Sequence, residues 1–150
     1  MKRKMFIKTM FLAMILTLLL PMTLSCSAKN VEASELTFSG YIMDTHCFLK
    51  KPDPSLDTKK CLQMTGCAAT GYGIAVKQSQ NTYKFYAFDG KFAPEASDGQ
   101  LLAVKLVDAT TRTDHIYITV SGTLSDKNIR ANDGTLFQVI DVTSLRESDE

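Results

Sequence analysis

A small, mostly β barrel carrying one or two helices is the fold this sequence predicts, and three observations predict it. Apolar and polar residues alternate over Leu36 to Ile42 and again over Ile116 to Val120, the period of two that gives a strand one buried face. Two strand-like runs are joined by Ser79-Gln80-Asn81, and another two by Asn132-Asp133-Gly134, both turn-forming stretches. A helical spacing of apolar residues falls between Asp98 and Ala109, after the third strand. With 150 residues, 45% hydrophobic and 22% charged, the chain has room for one such domain and not two.

Taken in order, the first strand puts Leu36, Phe38 and Ile42 against Thr37, Ser39 and Tyr41, with Gly40 marking a bend or bulge. The two prolines between Lys50 and Pro54 exclude regular structure, and Ser55 then caps a short helix through Met64, stopped by Gly66. Tyr72 to Gln78 and Thr82 to Phe88 form a hairpin whose aromatic and β-branched content suits strands. Asp98 caps a helix from Gly99 to Ala109, with Leu102, Leu106 and Ala109 on its buried face beside Leu101 and Val104; an apolar strand is the competing reading. His115 to Leu124 is the fourth long strand. Ile129 to Ala131 and Leu136 to Val142 form a last hairpin in which Asp-Gly supplies positive φ angles. The predicted core is Phe38, Ile42, Ile74, Val76, Phe85, Ile118, Val120 and Val139.

The resulting order, β1-β2-β3-α-β4-β5 plus an extra strand, resembles the OB-fold, a Greek-key barrel with its helix between the third and fourth strands. A helical excursion bearing three cysteines is inserted between β1 and β2. A second resemblance lies in Gly40-Tyr41-Ile42-Met43-Asp44-Thr45-His46-Cys47, followed by Cys61, Cys67 and Gly71-Tyr72-Gly73-Ile74. This is similar to uncharacterised bacterial exported and lipid-anchored small proteins with Gly-x-Ile/Val-x-Asp-x-x-Cys at the end of the first strand and two later cysteines. That group often has three residues between the last two cysteines and a histidine before the first of them. Here five residues intervene and Lys59-Lys60 precede Cys61. The resemblance covers about 40 residues and implies location and fold rather than an activity.

The amino terminus carries an address. Lys2, Arg3, Lys4 and Lys8 precede the uncharged run Thr9 to Leu24, the layout of a secretory signal peptide. Thr23-Leu24-Ser25-Cys26 resembles a bacterial lipobox, with leucine two places before the cysteine where three is commoner; it implies that Cys26 is acylated and becomes the first residue. Cleavage after Ala28 or after Ala33, giving a secreted protein, and a retained anchor are the alternatives. The expected organisation is a signal over 1–25, a lipidated cysteine and tether over 26–35, one barrel domain over 36–145 and a disordered acidic tail over 146–150, the domain standing outside the cytoplasm on a membrane through its lipid.

Charge excludes one class of partner. Of 17 basic and 16 acidic side chains, four basic and no acidic ones lie in the first 25 residues, leaving 13 against 16, a net −3. Lys50/Lys51 and Lys59/Lys60 are isolated pairs, so no nucleic-acid surface is expected. A saccharide, a peptide or an envelope protein is the better partner for an acidic exported barrel, and Tyr72, Tyr83, Phe85 and Tyr86 around strands two and three are the candidate ligand-binding residues.

The chemistry on offer concentrates in Cys47, Cys61 and Cys67. Outside the cytoplasm the first expectation is a disulfide staple, contributing about 2–4 kcal/mol, in a binding or structural module that is not an enzyme. Cys61 with Cys67, or Cys47 with either, would serve, and spacing does not choose. With Cys26 lipidated, three cysteines remain, and one bridge leaves an odd thiol. The same cysteines with His46 make a Cys₃His set for zinc, or soft ligands for copper(I). A thiol redox protein is the third reading, weakened by the lack of Cys-x-x-Cys. No Gly-x-Ser-x-Gly elbow supports a hydrolase. Asp44 reads equally as a cap for the loop after the first strand and as a base.

Overall fold

A computed structural model of the chain describes residues 34–91 and 95–150. The signal segment and Cys26 lie outside them. The elements are β1 (Leu36–Asp44), α1 (Thr45–Lys50), a 3₁₀ turn (Pro54–Leu56), α2 (Lys59–Leu62), α3 (Thr65–Ala68), β2 (Tyr72–Ser79), β3 (Thr82–Phe88), α4 (Asp98–Ala109), β4 (Tyr117–Arg130) and β5 (Leu136–Glu147). The five strands close into a barrel in the order β1-β2-β3-β5-β4. Every neighbouring pair is antiparallel except β3 and β5, which run parallel from Tyr86↔Gln138 to Phe88↔Ile140. This is the small OB-like barrel that the strand order predicts.

Strand periodicity sorts the core into two clusters on opposite faces of the sheet. Ile42, Ile74, Phe88, Ile118, Val120 and Ile140 fill the inside, with α4 and Leu62 packed among them and Phe38 and Val76 at the margin. Met43, Ala75, Phe85, Ala87, Phe137 and Val139 face the other way and are covered by Phe48 and Leu49 of α1. Phe85 and Val139 are therefore buried, but outside the barrel rather than within it. A period of two assigns alternate residues to alternate faces without saying which face is inside.

Several boundaries move. The single helix expected from Ser55 to Met64 is broken into the 3₁₀ turn and α2, a further helix, α3, runs through the Gly66 expected to stop it, and α1 starts directly after β1 where a loop was expected. The segment after Asp98 is helical, as expected, but its buried stripe is Gly99, Gln100, Ala103 and Val107, while Ala109 is exposed. The extra strand is the far half of β4, which continues through irregular pairing between Leu124 and Asn128 to Arg130. In the β4–β5 turn the positive φ belongs to Gly134 alone, at 93°. Two residues expected in the tail belong to β5: Arg146 pairs with Thr119, and Glu147 binds Arg112 Nε at 2.7 Å. Gly40 marks no bulge in β1; a Cβ there would sit 2.4 Å from the Ala75 carbonyl oxygen, so glycine is required by a close strand approach.

Candidate metal centre

The excursion between β1 and β2 is built from three short helices and the 3₁₀ turn, and each helix carries its cysteine at the third helical position: Cys47 in α1, Cys61 in α2 and Cys67 in α3. The preceding caps explain two of the starts. Asp44 Oδ1 accepts the Cys47 amide at 2.9 Å, and Thr58 Oγ1 accepts the Cys61 amide at 3.3 Å. A side-chain acceptor three residues before the amide it holds is the ordinary geometry of an N-cap. α3 has neither a side-chain cap nor a buried residue.

These helices are fixed to the barrel by a few definite contacts. Leu62 is fully buried in the inner cluster, and the Tyr72 hydroxyl donates to its carbonyl at 2.6 Å. Lys59 reaches across to the end of α4, its Nζ donating to the Thr110 carbonyl at 2.6 Å. Gln100, fully buried, accepts from Tyr72 N and donates to the carbonyls of Tyr72 and Phe88, joining α4 to the ends of β2 and β3. The excursion thus has anchors to the barrel besides its cysteines.

At the centre the three sulfurs converge. Cys61 Sγ lies 3.8 Å from Cys47 Sγ and 3.8 Å from Cys67 Sγ, and all three residues are half-buried free thiols. Asp44 completes the group, with one ligand atom from each of the four residues within 4.8 Å of every other. Asp44 is wholly buried; its Oδ1 is used by the cap and lies 3.2 Å from Thr70 Oγ1, while Oδ2 has no hydrogen-bond partner. Asp57 stands behind it, also wholly buried. Its Oδ2 accepts the Asp44 amide at 2.9 Å, and its Oδ1 is unpartnered.

The electrostatics are those of a place lacking positive charge. Burial and the Asp44 carboxylate push the Asp57 carboxyl up to about 7. Burial, then the carboxylates nearby, pushes up the Cys47 thiol and takes Cys67 to about 12. Cys61 is raised as well, by burial first. Among the described residues no basic side chain forms an ion pair with Asp44 or Asp57.

Comparison with family models, curated proteins and solved structures finds no match. The reading of the site therefore rests on its own chemistry. Three sulfurs and a carboxylate oxygen, convergent and partly shielded, suit either a metal ion or a disulfide between two of the sulfurs.

The residues expected to act together divide clearly. Cys47, Cys61 and Cys67 meet. His46 does not join them: it is exposed and stands outside the four-residue group, because successive residues of a helix point about 100° apart and Cys47 takes the inward direction. Asp44 occupies the fourth place. The candidate ligand aromatics do not form one surface either. Tyr72 is buried with its hydroxyl bound to Leu62, Phe85 is buried with its ring 4.8 Å from that of Phe48, and Tyr86 packs against Phe38 at 5.1 Å. Tyr83 borders a shallow pocket, with Tyr41, Pro54 and His115. Sequence reasoning missed Asp44 as a candidate ligand although the signal was present, since Asp-x-x-Cys places a cap oxygen near a thiol at the start of a helix. Asp57 carried no such signal.

Proposed function

We propose that the excursion is a zinc site, held by the sulfurs of Cys47, Cys61 and Cys67 and by Asp44 Oδ2, on an OB-like barrel that stands outside the cytoplasm. The carrying observation is the wholly buried Asp44 carboxylate, one of its oxygens without a partner, grouped with three converging sulfurs. An unpartnered buried carboxylate is costly, and a cation at this point would relieve it. The spacing supports the same ion. Zinc–sulfur bonds of about 2.3 Å at tetrahedral angles put sulfurs about 3.8 Å apart, the separation found for Cys61 and both its neighbours. The carboxylate favours zinc over copper(I), which prefers sulfur throughout. Four protein ligands close the coordination shell, which suits a structural or storage role rather than catalysis.

Purified under reducing conditions, the full chain should carry about one zinc, shown by elemental analysis, and Cys61→Ser should lose it. Reduced thiols without metal after zinc exposure would overturn this reading. Address is tested separately. The basic head, the apolar run and Cys26 support a lipid anchor, so incorporation of a fatty-acid analogue by growing cells should disappear in Cys26→Ala. Labelling that persists would remove the anchor and leave the secreted alternative.

A further inference from the structure

We infer that the site is redox-gated: oxidation joins Cys61 to Cys67, strands Cys47, and releases the zinc. This rests on the zinc reading above and adds a specific bridge to it. Cys61 Sγ is 3.8 Å from both other sulfurs, so distance alone allows either bridge. A disulfide requires sulfurs about 2.05 Å apart, and one helix must therefore move. The helices are not equally free. α1 is fastened by its Asp44 cap and by Phe48 and Leu49 on the outer cluster, and α2 by buried Leu62, the Thr58 cap and the Tyr72 hydroxyl.

α3 has no buried residue and no side-chain cap bond; a Cβ built on its Gly66 would meet nothing within 4 Å, and Met64 just before it is 57% exposed. Its ties are backbone bonds, Ala68 at the margin of the inner cluster, and Thr70 Oγ1, which lies 2.8 Å from the Cys67 carbonyl, 3.2 Å from Asp44 Oδ1 and 3.3 Å from the His46 amide. Cys67 is thus the sulfur that can approach Cys61 without drawing a fully buried side chain out of either cluster, only the half-buried Ala68 shifting with it. Because all three cysteines are half-buried rather than sealed, a small oxidant reaches them.

With a peroxide as the oxidant, one thiolate of the pair attacks a peroxide oxygen; the O–O bond breaks, hydroxide leaves and a sulfenic acid forms. The second thiolate attacks that sulfur, the S–O bond breaks and the S–S bond forms as a second hydroxide leaves. The two sulfurs give up two electrons, the peroxide becomes two waters after taking two protons, and zinc departs as Zn²⁺. Cys47 and Asp44 remain, two ligands where tetrahedral zinc takes four. A dithiol reverses the step by exchange and is itself oxidised.

The experiment treats zinc-loaded full chain with hydrogen peroxide, follows free zinc with a chromogenic chelator, and maps bridges by mass spectrometry of unreduced peptides so that Cys26 is counted apart. The expected result is release of the bound zinc in step with loss of two thiols, a Cys61–Cys67 peptide pair, and recovery of both on adding dithiothreitol and zinc. A bridge through Cys47, zinc retained after the two thiols are lost, or oxidation to sulfinic acid without a bridge would each overturn the inference. The same mapping on metal-free chain separates the two claims. A chain that takes up no zinc defeats the zinc reading, while its Cys61–Cys67 or alternative bridge still decides which helix moves.

Discussion

The two oxygens of Asp44 are used differently, one holding the start of α1 and the other without a hydrogen-bond partner, in a carboxylate grouped with the three sulfurs. Asp44→Asn separates the two tasks, since an amide oxygen can still cap while the anionic oxygen is gone. We expect the fold to survive and zinc affinity to fall by about tenfold or more, beyond the low end seen when outer-shell partners of metal ligands are removed, as read by competition with a chelator. A second residue reports on the carboxyl end of the chain. Glu147 is held below the usual carboxylate range by the Thr110 hydroxyl at 2.6 Å, then by Arg112. A depressed carboxyl contributes stability that is present above its unfolded value near 4.5 and lost as pH falls through the folded one. Glu147→Gln should therefore cost under about 1 kcal/mol at neutral pH, screened as it is by solvent. That difference from wild type should shrink toward zero in urea titrations below about pH 4.

At the scale of elements, the site depends on three helices of four to six residues, none of which is stable alone. Their positions come from the barrel. Tyr72→Phe removes the donor to the Leu62 carbonyl and leaves that buried acceptor unmet, at about 1–3 kcal/mol; denaturant unfolding of the metal-free chain should show the loss. Phe48→Ala takes the lid off the outer cluster, where its ring packs 4.8 Å from Phe85 and 6.0 Å from Phe137. A fully buried Phe→Ala costs about 3–5 kcal/mol, and this half-buried one should cost about 2. Because α1 also carries Cys47, zinc binding should weaken in parallel. Unchanged zinc affinity in Phe48→Ala would separate the packing of α1 from the geometry of the site.

Across the whole molecule, the barrel and the site are linked by mass action. Zinc that binds only the folded chain adds about 2.7 kcal/mol at a free concentration 100-fold above its Kd, worth a rise in Tm of about 10 °C or more for a domain of this size. Calorimetry with and without a chelator measures it. The barrel itself should persist without metal, because its inner cluster closes through all five strands and α4 and, among the described residues, takes only Leu62 and Ala68 from the excursion. A metal-free chain with no β signal in circular dichroism would contradict that division.

The sequence by itself determined where the strands fall along the chain and the position of the helix between β3 and β4, though not that the extra strand continues β4, because a two-residue period, turn chemistry and capping are local properties that neighbouring residues already contain. It also marked out Cys47, Cys61 and Cys67 by their density in one stretch. Only the tertiary structure decided what lies inside the barrel and what lies under α1: Phe85 and Val139 obey the strand period as well as Ile74 does, but the closure of the sheet selects the side. Only the tertiary structure exchanged His46 for Asp44, and placed Asp57 behind it, since these choices depend on the angle at which α1 leaves β1 and on a 13-residue return of the chain. Contacts between segments so far apart are set by how the barrel packs, and no local pattern carries that information.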